Sequence, residues 1–257
     1  MQREIVRIRR LGRVVFFLVY NMKYVQGDIH EVIKTLEDDS IDFIYTDPPF
    51  GITKASWDIP LKWDELFPEM WRVLKPSGII CLYASMPFTY ELLKYETPKY
   101  HYTWKKNNST GFFTAKKQPL RNTEEIFIYY KMTGTYNPQM IGSETHKRRN
   151  LIHKGGSGYF TTSKGAKTPS HNHETEKGSH QGKYPTTLKE WNIRKEKGGI
   201  TRTDDQIDYF IRTYSNEGDT ILDMTCHNKT VGKRCEVLGR DYIGVDIQLQ
   251  EVTELEA

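Results

Sequence analysis

The stretch that decides the fold is Ile41-Asp42-Phe43-Ile44-Tyr45-Thr46-Asp47-Pro48-Pro49-Phe50-Gly51. Apart from Asp42, residues 41–46 are apolar, aromatic or β-branched, the composition of a strand buried on both faces. Two prolines stop it, because proline has no N–H to give to a strand ladder. An acidic residue therefore sits at the carboxyl end of a strand, where open α/β sheets hold their ligands. Proline also fixes its own φ and restricts the residue before it, so the Asp47 carboxylate and the Pro48 carbonyl form a rigid pair of acceptors.

Outward from this point, strand and helix signals alternate. Upstream, Lys23–Gln26 reads as a short strand, Gly27-Asp28 as a break, and Ile29–Leu36 as helical. Downstream, Trp63–Leu74 has helical spacing with Pro68 inside it, Lys75-Pro76-Ser77-Gly78 ends that helix, and Ile79–Tyr83 is a buried-type strand. Thr89–Tyr95 is helical, and Tyr100–Trp104 and Ile126–Tyr130 are strands. From Gly142 to about Lys189 the chain is rich in Gly, Ser, Thr, His and Lys without a sustained period, the texture of an insertion rather than a core. Order returns with a helix at Asp204–Tyr214, a strand at Thr220–Asp223, a helix at Val231–Leu238 and a strand at Tyr242–Asp246. Such alternation predicts a parallel-rich α/β sheet.

The 257 residues suffice for one substantial core. The formal charge is only +4, but it is unevenly spread. Eleven basic residues face three acidic ones between Lys99 and Lys154. A concentrated basic segment of this kind suits a polyanion, although solvated lysines give the same count. Three scattered cysteines argue against a disulfide framework. No apolar run approaches the ~18 residues that suggest a membrane span. Arg9-Arg10 with Val14–Tyr20 faintly resembles a signal peptide, but the apolar part is short and no small-residue cleavage site follows; an added strand or a disordered lead-in is the favoured reading of residues 1–22.

Chemistry explains the residue types at the decisive stretch. An exocyclic amine on a nucleobase is a poor nucleophile, because its lone pair is delocalised into the ring. A carboxylate and a carbonyl that accept both of its N–H bonds draw the nitrogen toward tetrahedral geometry. Asp47 and Pro48 supply those acceptors, Pro49 stiffens the turn, and Phe50 offers a face on which an extruded base can stack. Trp104–Arg121 mixes cations, amides and aromatics; Lys105, Lys106, Lys116, Lys117 and Arg121 are the candidate DNA contacts there.

Thr46-Asp47-Pro48-Pro49-Phe50-Gly51 resembles motif IV of the DNA amino-methyltransferases, and Gly27-Asp28 is similar to their motif III. Lys75-Pro76-Ser77-Gly78 matches the segment after motif IV. Asn216–Asp223 and Leu238–Asp246 resemble the strand–loop–helix–strand that binds S-adenosylmethionine. The catalytic motif precedes the cofactor motif, the order of the β class, with target recognition between them. The resemblance implies a Rossmann-like S-adenosylmethionine-dependent methyltransferase sheet, helices on both faces, over residues 23–257, with an inserted basic recognition region over residues 107–191. It further implies DNA as partner, a prokaryotic or phage-like cytoplasmic setting often tied to restriction–modification, and dimerisation as a family habit. Asp47, Pro48, Pro49 and Phe50 become the catalytic set. Asp28 falls near the cofactor's adenine, Asp223 near its methionine part and Asp246 at its ribose, with Thr225, His227, Lys229 and Thr230 lining the turn between. Asp at the first motif position resembles N6-adenine enzymes more than N4-cytosine ones, which more often carry Ser. N4-cytosine methylation and a catalytically silent nucleic-acid-binding subunit remain the alternatives.

This sequence departs from the pattern in two places. Met224-Thr225-Cys226-His227-Asn228-Lys229-Thr230 follows Asp223, with His227 and Lys229 where glycines usually stand. His and Asn tolerate the left-handed region better than most residues, so the turn can survive; Lys229 can pair with the cofactor carboxylate or occlude the pocket. Ile200-Thr201-Arg202-Thr203 replaces the usual Thr-x-Lys-Pro lead-in. His171, His173 and His180 lie in a Gly/Ser/Lys-rich stretch and are read as solvated rather than metal-binding. No Walker-type phosphate loop occurs.

Overall fold

The computed structural model describes residues 2–11, 14–147, 179–196 and 199–248. In chain order the elements are β1 (Gln2–Leu11), β2 (Val14–Gln26), α1 (Ile29–Val32), β3 (Ile41–Thr46), α2 (Trp63–Val73), β4 (Leu74–Ala84), α3 (Phe88–Tyr95), β5 (Tyr100–Thr110), β6 (Arg121–Tyr129), β7 (Ile141–Lys147), β8 (Ser179–Lys183), β9 (Leu188–Trp191), β10 (Arg194–Glu196), β11 (Gly199–Thr201), α4 (Asp204–Tyr214), β12 (Thr220–Asp223), α5 (Thr230–Leu238) and β13 (Asp241–Asp246). Among the described residues, nine strands form one sheet in the order β1-β2-β13-β12-β3-β4-β6-β5-β9. Its centre, from β2 to β4, is parallel, and β6 runs antiparallel to both neighbours.

Strand alternation sorts the core into two halves. Ile44, Ile80, Leu82, Phe127, Tyr129 and Leu222 turn to one face and pack under α1, α2 and α3. Phe43, Cys81, Tyr83, Ile126, Ile128 and Ile221 turn to the other, under α4 and α5. The expected helices on both faces are therefore present. α2 buries Trp63, Leu66, Phe67, Met70 and Val73 and carries Pro68 within it.

The connections explain where a ligand belongs. β3 leads through α2 to β4 on one side, whereas β12 leads through α5 to β13 on the other. β3 and β12 are parallel neighbours, so the topological switch point lies between them and opens a crevice at their carboxyl ends.

Several segments differ from the sequence reading. β2 begins at Val14 rather than Lys23, and with β1 it forms an antiparallel hairpin on the sheet edge; a strand, not a lead-in, occupies most of residues 1–22. β4 starts at Leu74, because Pro76-Ser77-Gly78 continues as extended chain through a register shift opposite Ile41–Phe43. Of residues 107–191, expected as one inserted region, 107–110, 121–129 and 188–191 belong to strands of the main sheet. Pro138–Pro185 forms a separate compact unit. In that unit β7 and β8 pair antiparallel. His171 and His173 lie outside the described residues, as does the side chain of His180. No helix among the described residues is long and apolar enough to cross a membrane.

Candidate active site

Asp47 lies one residue past β3, at the mouth of the crevice. The turn is tied directly to its neighbour across the switch point. The Thr225 hydroxyl donates to the Asp47 main-chain carbonyl at 3.2 Å and lies 3.4 Å from the Thr46 hydroxyl. The Asp47 carboxylate takes one hydrogen bond on Oδ1, from the Arg202 guanidinium at 2.7 Å, while a third of the side chain remains exposed. Burial pushes its acidity toward higher pH, Arg202 opposes this, and nearby Glu124 adds to it. The Phe50 ring stacks on Phe88 with centroids 5.2 Å apart, which fixes its plane.

A second carboxylate, invisible to motif reasoning, holds the loop that follows. Asp58 accepts from the main-chain N–H groups of Gly51, Ile52 and Thr53 at 2.7, 3.0 and 2.7 Å, and from the Thr53 hydroxyl at 2.7 Å. Burial pulls its pKa up, but these hydrogen bonds outweigh it and hold the pKa below the usual carboxylate range. Gly51 adopts a left-handed φ of 65°, as the tight turn into this anchor requires. A local signal existed: an Asp seven residues after a Gly-containing turn, in a loop otherwise short of acids.

The turn after β12 answers the question left by its missing glycines. His227 and Lys229 both take positive φ, 25° and 60°. The glycine-type backbone survives with side chains in place. It is held by the Cys226 N–H on the Val245 carbonyl (2.9 Å), the His227 N–H on the Asp246 carboxylate (2.9 Å) and the Lys229 N–H on the Cys226 carbonyl (2.7 Å). The Lys229 ammonium rests 5.3 Å from the centre of the Tyr24 ring. The Thr230 hydroxyl donates to the Asn228 side chain at 2.7 Å. Asp246 also accepts from the Gln248 N–H. Asp28 caps α1 and accepts from the His30 N–H at 2.9 Å; the far ring nitrogen of His30 accepts from the Lys62 N–H, tying the β2–α1 turn to the start of α2. Asp223 is 2% exposed and accepts from the Tyr242 hydroxyl (3.0 Å) and the Thr225 N–H (3.2 Å). Burial pushes its pKa up to about 7.

The basic arm divides. β6 pairs with β4 so that Glu125 lies opposite Ala84. The β5–β6 hairpin therefore projects past the same carboxyl edge that carries Asp47. Lys116 and Lys117 are exposed near its tip, together with Phe112 and Phe113. Lys105 is exposed and pairs with Glu190 at 2.9 Å. Arg121 donates to the Met86 carbonyl at 3.0 Å, bracing the arm against the β4–α3 loop. Lys106 corrects the sequence reading: it is 6% exposed and donates to Glu124 at 2.9 Å, so it is a buried partner of an acid and not a surface cation. An alternating strand points every second residue inward, and Lys106 shares the inward side with Trp104.

Residues 41–257 match the model of a family described as DNA methylase. The type II methyltransferase M.BamHI of Bacillus amyloliquefaciens is 28% identical over 247 residues, covering 88% of this chain and 54% of its own length; the chain thus spans about half of that relative. The DNA adenine methyltransferase YhdJ of Escherichia coli is 25% identical over 253 residues, covering 89% of this chain and 79% of its own. The crystal structure of an M1.HpyAVI–SAM complex superposes with a TM-score of 0.55 at 18% identity, over 88% of this chain and 93% of the other. At that identity the likeness concerns the fold.

Proposed function

We propose that this chain, which belongs to the DNA methylase family, transfers a methyl group from S-adenosylmethionine to the exocyclic N6 of adenine in DNA. The observation that carries this reading is the clasp of Thr225 on Asp47, which joins an acceptor-bearing turn to a glycine-type turn at one switch point.

The residues present fit the methyl donor. Asp246 stands at the end of β13 as an acceptor for ribose hydroxyls, and His227, Lys229 and Thr230 shape the turn beside it. When bound, the donor supplies an electrophilic methyl on a sulfonium. The chain's own part is positioning. The Asp47 carboxylate and the Pro48 carbonyl accept the two amine N–H bonds, concentrate the lone pair on nitrogen and aim it at the crevice. Phe50, backed by Phe88, offers its other face to an extruded base. The amine nitrogen attacks the methyl carbon directly as the carbon–sulfur bond breaks; the sulfur departs as a neutral thioether and the nitrogen gives up one proton, so no covalent enzyme intermediate is needed and the buried Cys226 has no part. Lys105, Lys116 and Lys117 face the phosphates from the arm that overhangs the same edge.

The aspartate at the first motif position, and a relative named as an adenine methyltransferase, support adenine over cytosine. Bacterial relatives support action in a bacterial cytoplasm. The test is incubation with labelled S-adenosylmethionine and unmethylated DNA, followed by digestion to nucleosides. N6-methyladenine is the expected product. N4-methylcytosine overturns the choice of base. DNA binding without transfer or donor binding overturns the enzymatic reading in favour of a silent DNA-binding subunit.

A further inference from the structure

The catalytic-turn carboxylate is one end of a buried row of alternating charges that no motif announced. Arg202, in the loop between β11 and α4, donates to Asp47 Oδ1 at 2.7 Å, and the same guanidinium nitrogen lies 2.9 Å from Glu124. Glu124, at the start of β6, accepts from Lys106 at 2.9 Å. The Arg202, Glu124 and Lys106 side chains are 11, 12 and 5% exposed, whereas Asp47 is 34% exposed. The guanidinium carbon sits 4.6 Å from the ring centres of both Tyr83 and Trp104. The two rings are perpendicular, with centroids 6.5 Å apart, so the guanidinium lies in the corner they form; a planar, weakly hydrated cation suits such aromatic faces better than an ammonium does.

We propose that Arg202 is a positioning residue for methyl transfer: seated in the corner formed by the Tyr83 and Trp104 rings and backed by Glu124, it binds one oxygen of Asp47 and presents the other to the amine of the target base. The inference rests on the methyl-transfer reading above. Oδ1 is taken by Arg202, Oδ2 accepts no hydrogen bond within the described residues, and a third of the side chain is exposed, so Oδ2 is the oxygen left for the amine. The arrangement also governs the charge of Asp47. Around it stand Tyr45 on β3, Cys81 on β4, Glu124 on β6 and Asp223 on β12. None of these is a cation; Glu124 and Asp223 are acids, and the others are neutral. Among the described residues facing Asp47, Arg202 alone favours the ionised form. A protonated Asp47 turns an acceptor into an O–H donor and points a proton at a nitrogen lone pair that must be free to attack.

The test is the single-turnover rate of transfer from labelled S-adenosylmethionine into unmethylated DNA, followed from pH 5.5 to 9 with both substrates saturating. Arg202→Met keeps the length and apolar contacts of the side chain and removes its charge. It is expected to lower the plateau by about 10- to 100-fold, with little change in the KM for DNA, and to move the acid limb to higher pH. Arg202→Lys restores the position of the limb but only part of the plateau. Glu124→Gln removes the acid that competes for Arg202 and moves the limb to lower pH, so the idea remains testable if Arg202→Met does not fold. Opposite shifts of the limb in the two charge-removing variants support the assignment, because a structural defect lowers the plateau without moving the limb. An active wild type whose limb stays put in every folded variant overturns the role of Arg202 alone; a wild type that binds DNA but transfers nothing overturns the methyl-transfer reading and this inference with it.

Discussion

Two turns end neighbouring parallel strands at the mouth of the crevice, and they obtain their shapes by opposite means. The turn after β3 is fixed by covalent chemistry: Pro48 and Pro49 set the backbone, and Asp58 gathers the N–H groups that follow. The turn after β12 holds a left-handed shape with residues that resist it, His227 and Lys229. L-residues in that region cost roughly 1–2 kcal/mol each, so the hydrogen bonds of Cys226, His227 and Lys229 must offset the strain. The contrast teaches that the site depends on backbone geometry, which residue identity encodes in one turn and surrounding hydrogen bonds impose in the other.

The comparison can be broken at several points. The largest effect is expected at the catalytic end: Asp47→Ala should slow transfer by about 10²–10³-fold or more while DNA binding, followed by fluorescence anisotropy, stays near wild type. Near-normal transfer in that variant removes Asp47 from the mechanism. Next, Asp58→Ala leaves several main-chain donors of the Gly51–Thr53 loop without partners. A loss of about 3 kcal/mol of unfolding free energy in urea is expected, with reduced transfer because Phe50 loses its support; a loss under ~0.5 kcal/mol would mean that the prolines alone hold the turn.

A smaller effect tests the β12 side. Asp223 has its pKa raised from 3.8 to about 7 by burial. Its ionised form is the disfavoured one in the folded protein, so the cost is absent below the unfolded value near 4 and complete above about 7. Between pH 5 and 7 wild-type stability should fall by roughly 2 kcal/mol from this group, and Asp223→Asn should flatten that part of the profile in denaturant titrations. An unchanged slope contradicts the buried, proton-binding state. The smallest effect concerns strain: His227→Gly and Lys229→Gly should each stabilise by about 1 kcal/mol, read as a rise of a few degrees in Tm. Destabilisation by either variant shows that the side chain itself, and not only the backbone, holds the turn.

How much of this was legible in the sequence follows from the range of each interaction. The strand Ile41–Thr46, the helix Asp204–Tyr214 and the Asp47–Phe50 turn are set by local pattern and proline chemistry, and the structure has them at the expected residues. The left-handed turn was legible as a question, because His227 and Lys229 fall at glycine positions; its answer required Val245 and Asp246 from another strand. The long ends of β5 and β6 carry no strand signal in the sequence because Lys105–Arg121 is polar. A strand that leaves the sheet to form an exposed hairpin has no core to give it an apolar period. Arg202 was visible only as a departure from a lead-in motif, since its partners Asp47 and Glu124 lie 155 and 78 residues away in the chain. Lys106 was read as a surface cation because charge counting cannot see the acid behind it.

The most direct measurement of the whole account is a crystal structure with an unreactive analogue of S-adenosylmethionine. The geometry predicts the analogue between the ends of β3 and β12, its ribose hydroxyls on Asp246, His227 and Lys229 still left-handed, and the sulfonium-equivalent atom facing the open oxygen of Asp47. An analogue bound elsewhere, or a crevice too closed to admit it beside Asp47, contradicts the account.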